Sequence, residues 1–213
     1  MERIAELLLF LVVLTNFVVL GTSRLSTCIR AIAVQGLLLG LLPPALHPAW
    51  SLHTVGLALG TIGVKAVVLP RFLQWAIREA SVRREIEPRI GFVASLLVGA
   101  VAIAVGFGTA QRLPLANPSG SIVVAVALAT VIAGLVVLTT RTTALTQVVG
   151  YLMLENGVYL FGLTQVERVP FLVELGVLLD VLVGVFIMGI VVFHINREFE
   201  SISAGELTEL SEP

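Results

Sequence analysis

The stretch SGSIVVAVALATVIAGLVVLTTRTTALTQVVGYLMLENGVYLFGLTQ (119–165) decides the fold. It holds two apolar runs, 119–140 and 143–165, parted only by the TTRTT turn (139–143). A helix needs about 20 largely apolar residues to cross the hydrocarbon core of a bilayer. Both runs have that length, and so short a break makes them an antiparallel hairpin.

Working outward from the hairpin, five further runs of spanning length appear at 4–22, 29–46, 51–73, 90–110 and 170–193. Turn chemistry separates them: PPALHPAW (43–50), LPLANPSG (113–120), and Pro170 opening the last run. The segment RFLQWAIREASVRREIEPR (71–89) mixes charged and apolar residues, so the third helix is expected to continue beyond the membrane. It is expected as a positive anchor, with the length to dock a peripheral partner. The fold class expected is therefore all-α: a polytopic membrane protein with about seven transmembrane helices and little outside the bilayer. The halves are expected as a four-helix unit, 1–115, and a three-helix unit, 116–196, with a cytoplasmic acidic tail of little apolar content at 197–213.

Composition agrees. The 213 residues are 57% hydrophobic and 13% charged, with mean hydropathy +1.03. A soluble domain carries about 25% charged residues. The net charge of -1 excludes a global basic field for nucleic acid. The lone Cys28 allows no internal disulfide and no zinc or iron–sulfur pattern. The N-terminal MERIAELLLFLVVLTNFVVLG superficially resembles a signal peptide. It lacks a positive n-region and an A-x-A site, and is read as the first helix.

Charge asymmetry gives an orientation. Arg24, Arg30, Arg71, Arg78, Arg83, Arg84, Arg89, Arg141 and Arg197 fall on one side of the expected spans, against Arg3, Arg112 and Arg168 on the other. The positive-inside rule places the N-terminus outside and the C-terminus in the cytoplasm.

Of 14 acidic residues, three lie within spans: Glu155, Glu174 and Asp180; Lys65 is the single base so placed. A charge at mid-membrane costs about 2.5–3.5 kcal/mol on insertion scales and is kept for a partner, a proton or an ion. At 1.5 Å rise per residue, Glu155 and Asp180 each lie about 15 Å below the outer surface, near the midplane. Two carboxyls at one depth on adjacent antiparallel helices suit a proton site, because desolvation favours the neutral form of an acid. Glu174 lies about 6 Å deep and Lys65 about 21 Å from the outer side. Pro70 frees the carbonyl of Ala66, so a kinked third helix with a polar interior is expected near Lys65.

Each signal has a plainer reading. Glu155–Asn156 can also be read as a structural hydrogen-bonding pair between helices, Asp180 as a partner of Lys65 or of another subunit, and Lys65 as a structural counter-ion. Glu174 reads as interfacial and His194 as a boundary residue rather than a proton relay. Asn16, Gln35 and Gln147 read as interhelical hydrogen-bonding residues. His47 and His53 make no metal-ligand cluster. No phosphate-binding glycine loop, H-E-x-x-H, C-x-x-C or G-x-S-x-G is present. The chain offers no catalytic apparatus and no cofactor or metal site of its own.

The segments GTIGVKAVVLPRFL (60–73), GYLMLENGVYLFG (150–162) and PFLVELGVLLDVLVGVFIMGIVVFHINREF (170–199) resemble the E-type membrane component of the hydrogenase-4 family. These are membrane-bound [NiFe] hydrogenases related to formate hydrogenlyase. The last three spans, the 116–196 unit, also resemble the small K-type component of respiratory complex I and the C-type component of Mrp-type sodium/proton antiporters. The resemblance implies a multi-pass subunit of a prokaryotic cytoplasmic (inner) membrane. It would sit beside antiporter-like membrane partners and one like the H-type component of complex I, with peripheral [NiFe] hydrogenase or related redox subunits. In the K-type component a membrane glutamate on each of two helices serves proton translocation. Asp180 matches the second of these, with Gly184 four residues on in both families. Leu152 stands where the first would be, and Glu155 lies close to one turn away on a similar face. The resemblance therefore implies proton handling by Glu155 and Asp180, with Glu174 and Lys65 secondary. A cation/proton antiporter subunit, or a purely structural assembly subunit, is the alternative.

Overall fold

Seven α-helices and one π-helix make up the named elements of the computed structural model, which describes residues 2–46, 52–79, 89–113, 118–164 and 182–189. No β-strand element occurs among the described residues. The helices are α1 (Glu2–Gly21), α2 (Leu25–Leu46), α3 (Leu52–Thr61), α4 (Leu69–Glu79), α5 (Phe92–Ala110), α6 (Pro118–Thr140) and α7 (Ala144–Leu163). A π-helix, Ile62–Val68, joins α3 directly to α4. Residues 182–189 are helical as well.

Four of these helices are long and apolar enough to cross a membrane: Arg3–Gly21, Leu25–Leu46, Phe92–Ala110 and Gly120–Thr140. Their outward faces are apolar too. Leu7, Phe10, Leu14 and Val18 stand exposed on α1, and Val93, Leu97, Val101 and Val105 on α5. Contiguous apolar stripes of this kind on a soluble protein would be an aggregation hazard, whereas lipid covers them without loss. Helix α7 has the length of a span but carries Gln147, Glu155 and Asn156. Much of the expected seventh span lies outside the described residues.

One boundary differs from the apolar reading. Helix α2 starts at Leu25, because the carbonyl of Arg24 accepts the amides of Thr27 and Cys28 and so begins the helix ahead of the apolar run. The third run continues to Glu79, as its sequence indicates. Its last part is amphipathic: Leu73 and Ala76 are buried, while Arg71, Gln74 and Arg78 are turned outward. The kink expected at Pro70 takes another form. The chain widens to a π-turn just before the proline, with the Leu69 amide bonded to the Val64 carbonyl.

Small residues set the packing. Side chains at Gly134, Gly150 and Gly157 would run into the backbones of Leu154, Leu138 and Val131, so α6 and α7 lie in backbone contact. Gly36 on α2 bears in the same way on the backbone of Lys65, and Gly40 on Ile62. Without a hydrophobic drive between helices in lipid, close approach of this kind holds them together.

The core is layered along the helix axes. One apolar cluster gathers Val19 and Leu20 of α1, Leu25, Ile29 and Ile32 of α2, Leu69 and Leu73 of α4, Val137 of α6, and Leu145, Val149 and Leu152 of α7. A second gathers Leu9 and Val12, Leu38, Leu39 and Leu42, Val123 and Val126, and Leu160 and Leu163. Both draw on residues before and after position 115, so the expected halves share one core. Between the clusters, four helices carry buried polar side chains: Asn16 on α1, Gln35 on α2, Thr130 on α6, and Glu155 and Asn156 on α7. Lys65 of the π-helix joins them.

Candidate functional site

The polar belt contains two networks that meet at Glu155 and Asn156. The first is an ion pair. Lys65 Nζ contacts Glu155 Oε2, with the lysine 5% and the glutamate 1% exposed. The Lys65 ammonium also lies 5.7 Å from the centroid of the Tyr159 ring, which is within cation–π range. One turn along both helices, Thr61 Oγ1 and Tyr159 Oη are 3.1 Å apart, and either can donate. Thr61 and Lys65 are four residues apart, as are Glu155 and Tyr159, so the four side chains form two stacked rungs between α7 and the α3–π segment.

The second network is made of amides and hydroxyls. Asn156 Nδ2 donates to Gln35 Oε1 at 2.9 Å. Gln35 Nε2 donates to Asn16 Oδ1 at 2.7 Å and to Thr15 Oγ1 at 3.0 Å. Asn16 Nδ2 donates to Thr130 Oγ1 at 2.9 Å, and Thr130 donates to the Val126 carbonyl at 2.8 Å. The chain thus links α7, α2, α1 and α6 and runs in one direction to a backbone acceptor.

Sequence arithmetic separates Lys65 and Glu155 in depth, yet they pair. The π-turn and the close seat against Gly36 place the Lys65 backbone at α2, and the long lysine stem covers the remaining rise. Glu155 and Asn156 each bond to another element of the bundle, as the structural reading of them expects. They are adjacent positions that leave α7 in different directions, one to Lys65 and the other to Gln35. Asn16 and Gln35 bond between helices as expected. Gln147 does not: its Nε2 donates at 3.2 Å to the carbonyl of Arg141, in the turn that precedes its own helix. Asp180, Glu174, His194 and His47 lie outside the described residues.

Arg141 is the functional-looking residue that charge counting hides. It is only 1% exposed, although it occupies the turn between α6 and α7. Its Nη2 donates at 3.0 Å to the Leu20 carbonyl at the end of α1, and its guanidinium lies 5.3 Å from the Phe92 ring centroid. Burial pulls this guanidinium below its ordinary value; arginine nevertheless keeps its proton in proteins. A cation at the last turn of a helix satisfies an orphan carbonyl and the negative end of the dipole.

The same chemistry can be set beside known proteins. The uncharacterized protein Rv0085 of Mycobacterium tuberculosis is 32% identical to this chain over 203 residues, covering 93% of this chain and 91% of that protein. This chain belongs to the Rv0085 family. No protein-family model matches the chain, and no solved structure matches it. For this Rv0085-family member the belt is thus read from its own chemistry. A carboxylate and an ammonium, both buried, face each other with a hydroxyl pair one turn away. Such an arrangement can hold a proton, release it, and redistribute charge within the bundle.

Proposed function

We propose that this Rv0085-family chain is a non-catalytic integral membrane subunit that contributes to proton translocation, in a membrane-bound hydrogenase or complex-I-like oxidoreductase. The observation that carries the reading is the buried Lys65–Glu155 pair inside a bundle of membrane-spanning helices. Ionisable groups at such depth are expensive and are found where protons or ions are handled. A pair that served stability alone would be weakly favoured, because well-packed apolar residues of similar volume do as well or better.

In this reading the chain crosses the bilayer seven times, with its N-terminus outside and its C-terminus in the cytoplasm. The seventh span carries Asp180 as a second exchange site. The similarity of 150–162 and 170–199 to the E-type hydrogenase-4 component, and of the last three spans to the K-type component of complex I, supports the assignment to a redox complex. Hydrogen chemistry would take place in peripheral partners.

Two measurements test it. Glu155→Gln is expected to lower hydrogen-driven acidification of everted membrane vesicles while leaving hydrogen oxidation with a soluble dye unchanged. Equal acidification in wild type and variant would remove the proton role. Mass spectrometry of the gently solubilised complex is expected to find [NiFe] hydrogenase subunits. Antiporter subunits without redox partners would instead make this a cation/proton antiporter component.

A further inference from the structure

The Lys65–Glu155 pair lies between two apolar clusters. Toward the N-terminal end of α7 the first is built from Val148, Val149 and Leu152 with Leu69 and Leu73 of α4, and Tyr151 packs against it one turn from Glu155. The second includes Leu160, Leu163 and Tyr159 itself. Toward the C-terminal end of α7 the next rung is the Thr61–Tyr159 hydroxyl pair.

Hydroxyls and amides also differ as carriers. A hydroxyl donates and accepts at one atom and rotates, so a pair of them can reverse its direction. The 3.1 Å contact between Thr61 and Tyr159 permits both directions. The amide chain from Asn156 to Thr130 is fixed: each amide nitrogen only donates, each amide oxygen only accepts, and the chain ends on a backbone carbonyl. It holds Asn156 in place but passes no proton.

We propose that Tyr159 and Thr61 form the relay through which the Lys65–Glu155 pair exchanges protons. This inference rests on the proton-handling reading above and names its route. In the inward step a water molecule between the two rungs gives a proton to the Glu155 carboxylate and takes the Tyr159 proton. Tyr159 oxygen takes the Thr61 proton, and Thr61 is reprotonated by a hydronium ion beyond it. Neither hydroxyl changes its state, and one proton has moved.

The test uses the full-length chain in its solubilised membrane complex and follows the infrared carboxyl band of Glu155, identified by its loss in Glu155→Gln. At a pH low enough to protonate Glu155, transfer to heavy water should shift the band as the carboxyl exchanges its proton for deuterium. Tyr159→Phe and Thr61→Val should each slow this exchange several-fold, and the double variant should be no slower than either single one. Thr61→Ser, which keeps the hydroxyl, should restore the wild-type rate and show that packing loss is not the cause. Exchange at the wild-type rate in both Tyr159→Phe and Thr61→Val would overturn the relay while leaving the proton site standing. A Glu155 band that never takes up a proton, at any pH the fold tolerates, would instead overturn the proton-handling reading itself.

Discussion

Glu155 and Asn156 are neighbours in sequence and belong to regions with opposite physics. The Glu155 side is ionic: two full charges, a short path to a second polar rung, and a π-helix as backing. The Asn156 side is neutral and saturated: three amides and their threonine partners bonded across four helices. Both satisfy buried polar groups, but they respond differently to loss of a member. A broken ion pair leaves an uncompensated charge in a medium that cannot solvate it, whereas a broken amide bond leaves a dipole. The lesson is that a polar layer in a membrane bundle is not one device. One of its parts can change state while the other holds the geometry in which the change takes place.

The largest expected effect breaks the ionic side. Lys65→Met strands the Glu155 charge and should destabilise the fold by about 3–5 kcal/mol, measured by denaturant unfolding in detergent micelles. The double variant Lys65→Met/Glu155→Met should regain most of that loss, because it removes both charges. A double variant as weak as the single one would show that packing at these positions, and not charge, sets the stability.

The seat of the π-helix comes next. Gly36→Val drives a branched side chain into the Lys65 backbone and should cost about 1–3 kcal/mol through overpacking, read from the same unfolding curve. It should also perturb the Glu155 infrared band, since the lysine must move with its backbone.

On the neutral side, Asn156→Leu leaves Gln35 Oε1 without its donor and should cost about 1–2 kcal/mol. The comparison is sharpened by what should not change: the Glu155 proton exchange keeps its rate to within a small factor. A collapse of that exchange in Asn156→Leu would merge the two networks into one.

The smallest effect belongs to Arg141→Lys. It keeps the charge at the end of α1 but loses the planar fork, and should cost about 1 kcal/mol, seen as a modest drop in midpoint temperature.

Much of this is legible in sequence, residue by residue. The apolar runs mark the helices, and a helix rises evenly, so the position of Glu155 within its run places it in the polar layer. Asn16 and Gln35 are recognisable as interhelical bonds because a lone amide in an apolar helix has few other uses. The partner of Glu155 is not legible. Depth says nothing about rotation around the helix axis, and the π-turn displaces Lys65 from the face that regular α-geometry assigns to it. Gln147 departs from its expected role because it lies close enough to its own turn to bond there. Arg141 is hidden because a charge in a loop looks the same in sequence whether solvent or a helix end receives it.

The belt also fixes something apart from protons. Leucine and valine faces in lipid can slide along one another with little change in contact, except where glycines seat one backbone on another. Buried polar groups on α1, α2, α6 and α7, bonded to one another, remove that freedom. A shift of α7 by one turn, about 5.4 Å, would carry Asn156 past Gln35 and Glu155 past Lys65 into apolar layers. Each separated group would then lie unsatisfied among Leu38, Leu39, Leu69 or Leu152. The belt thus works as a vernier on the bundle: the apolar layers hold the helices together, and the polar layer tells each helix where to stop.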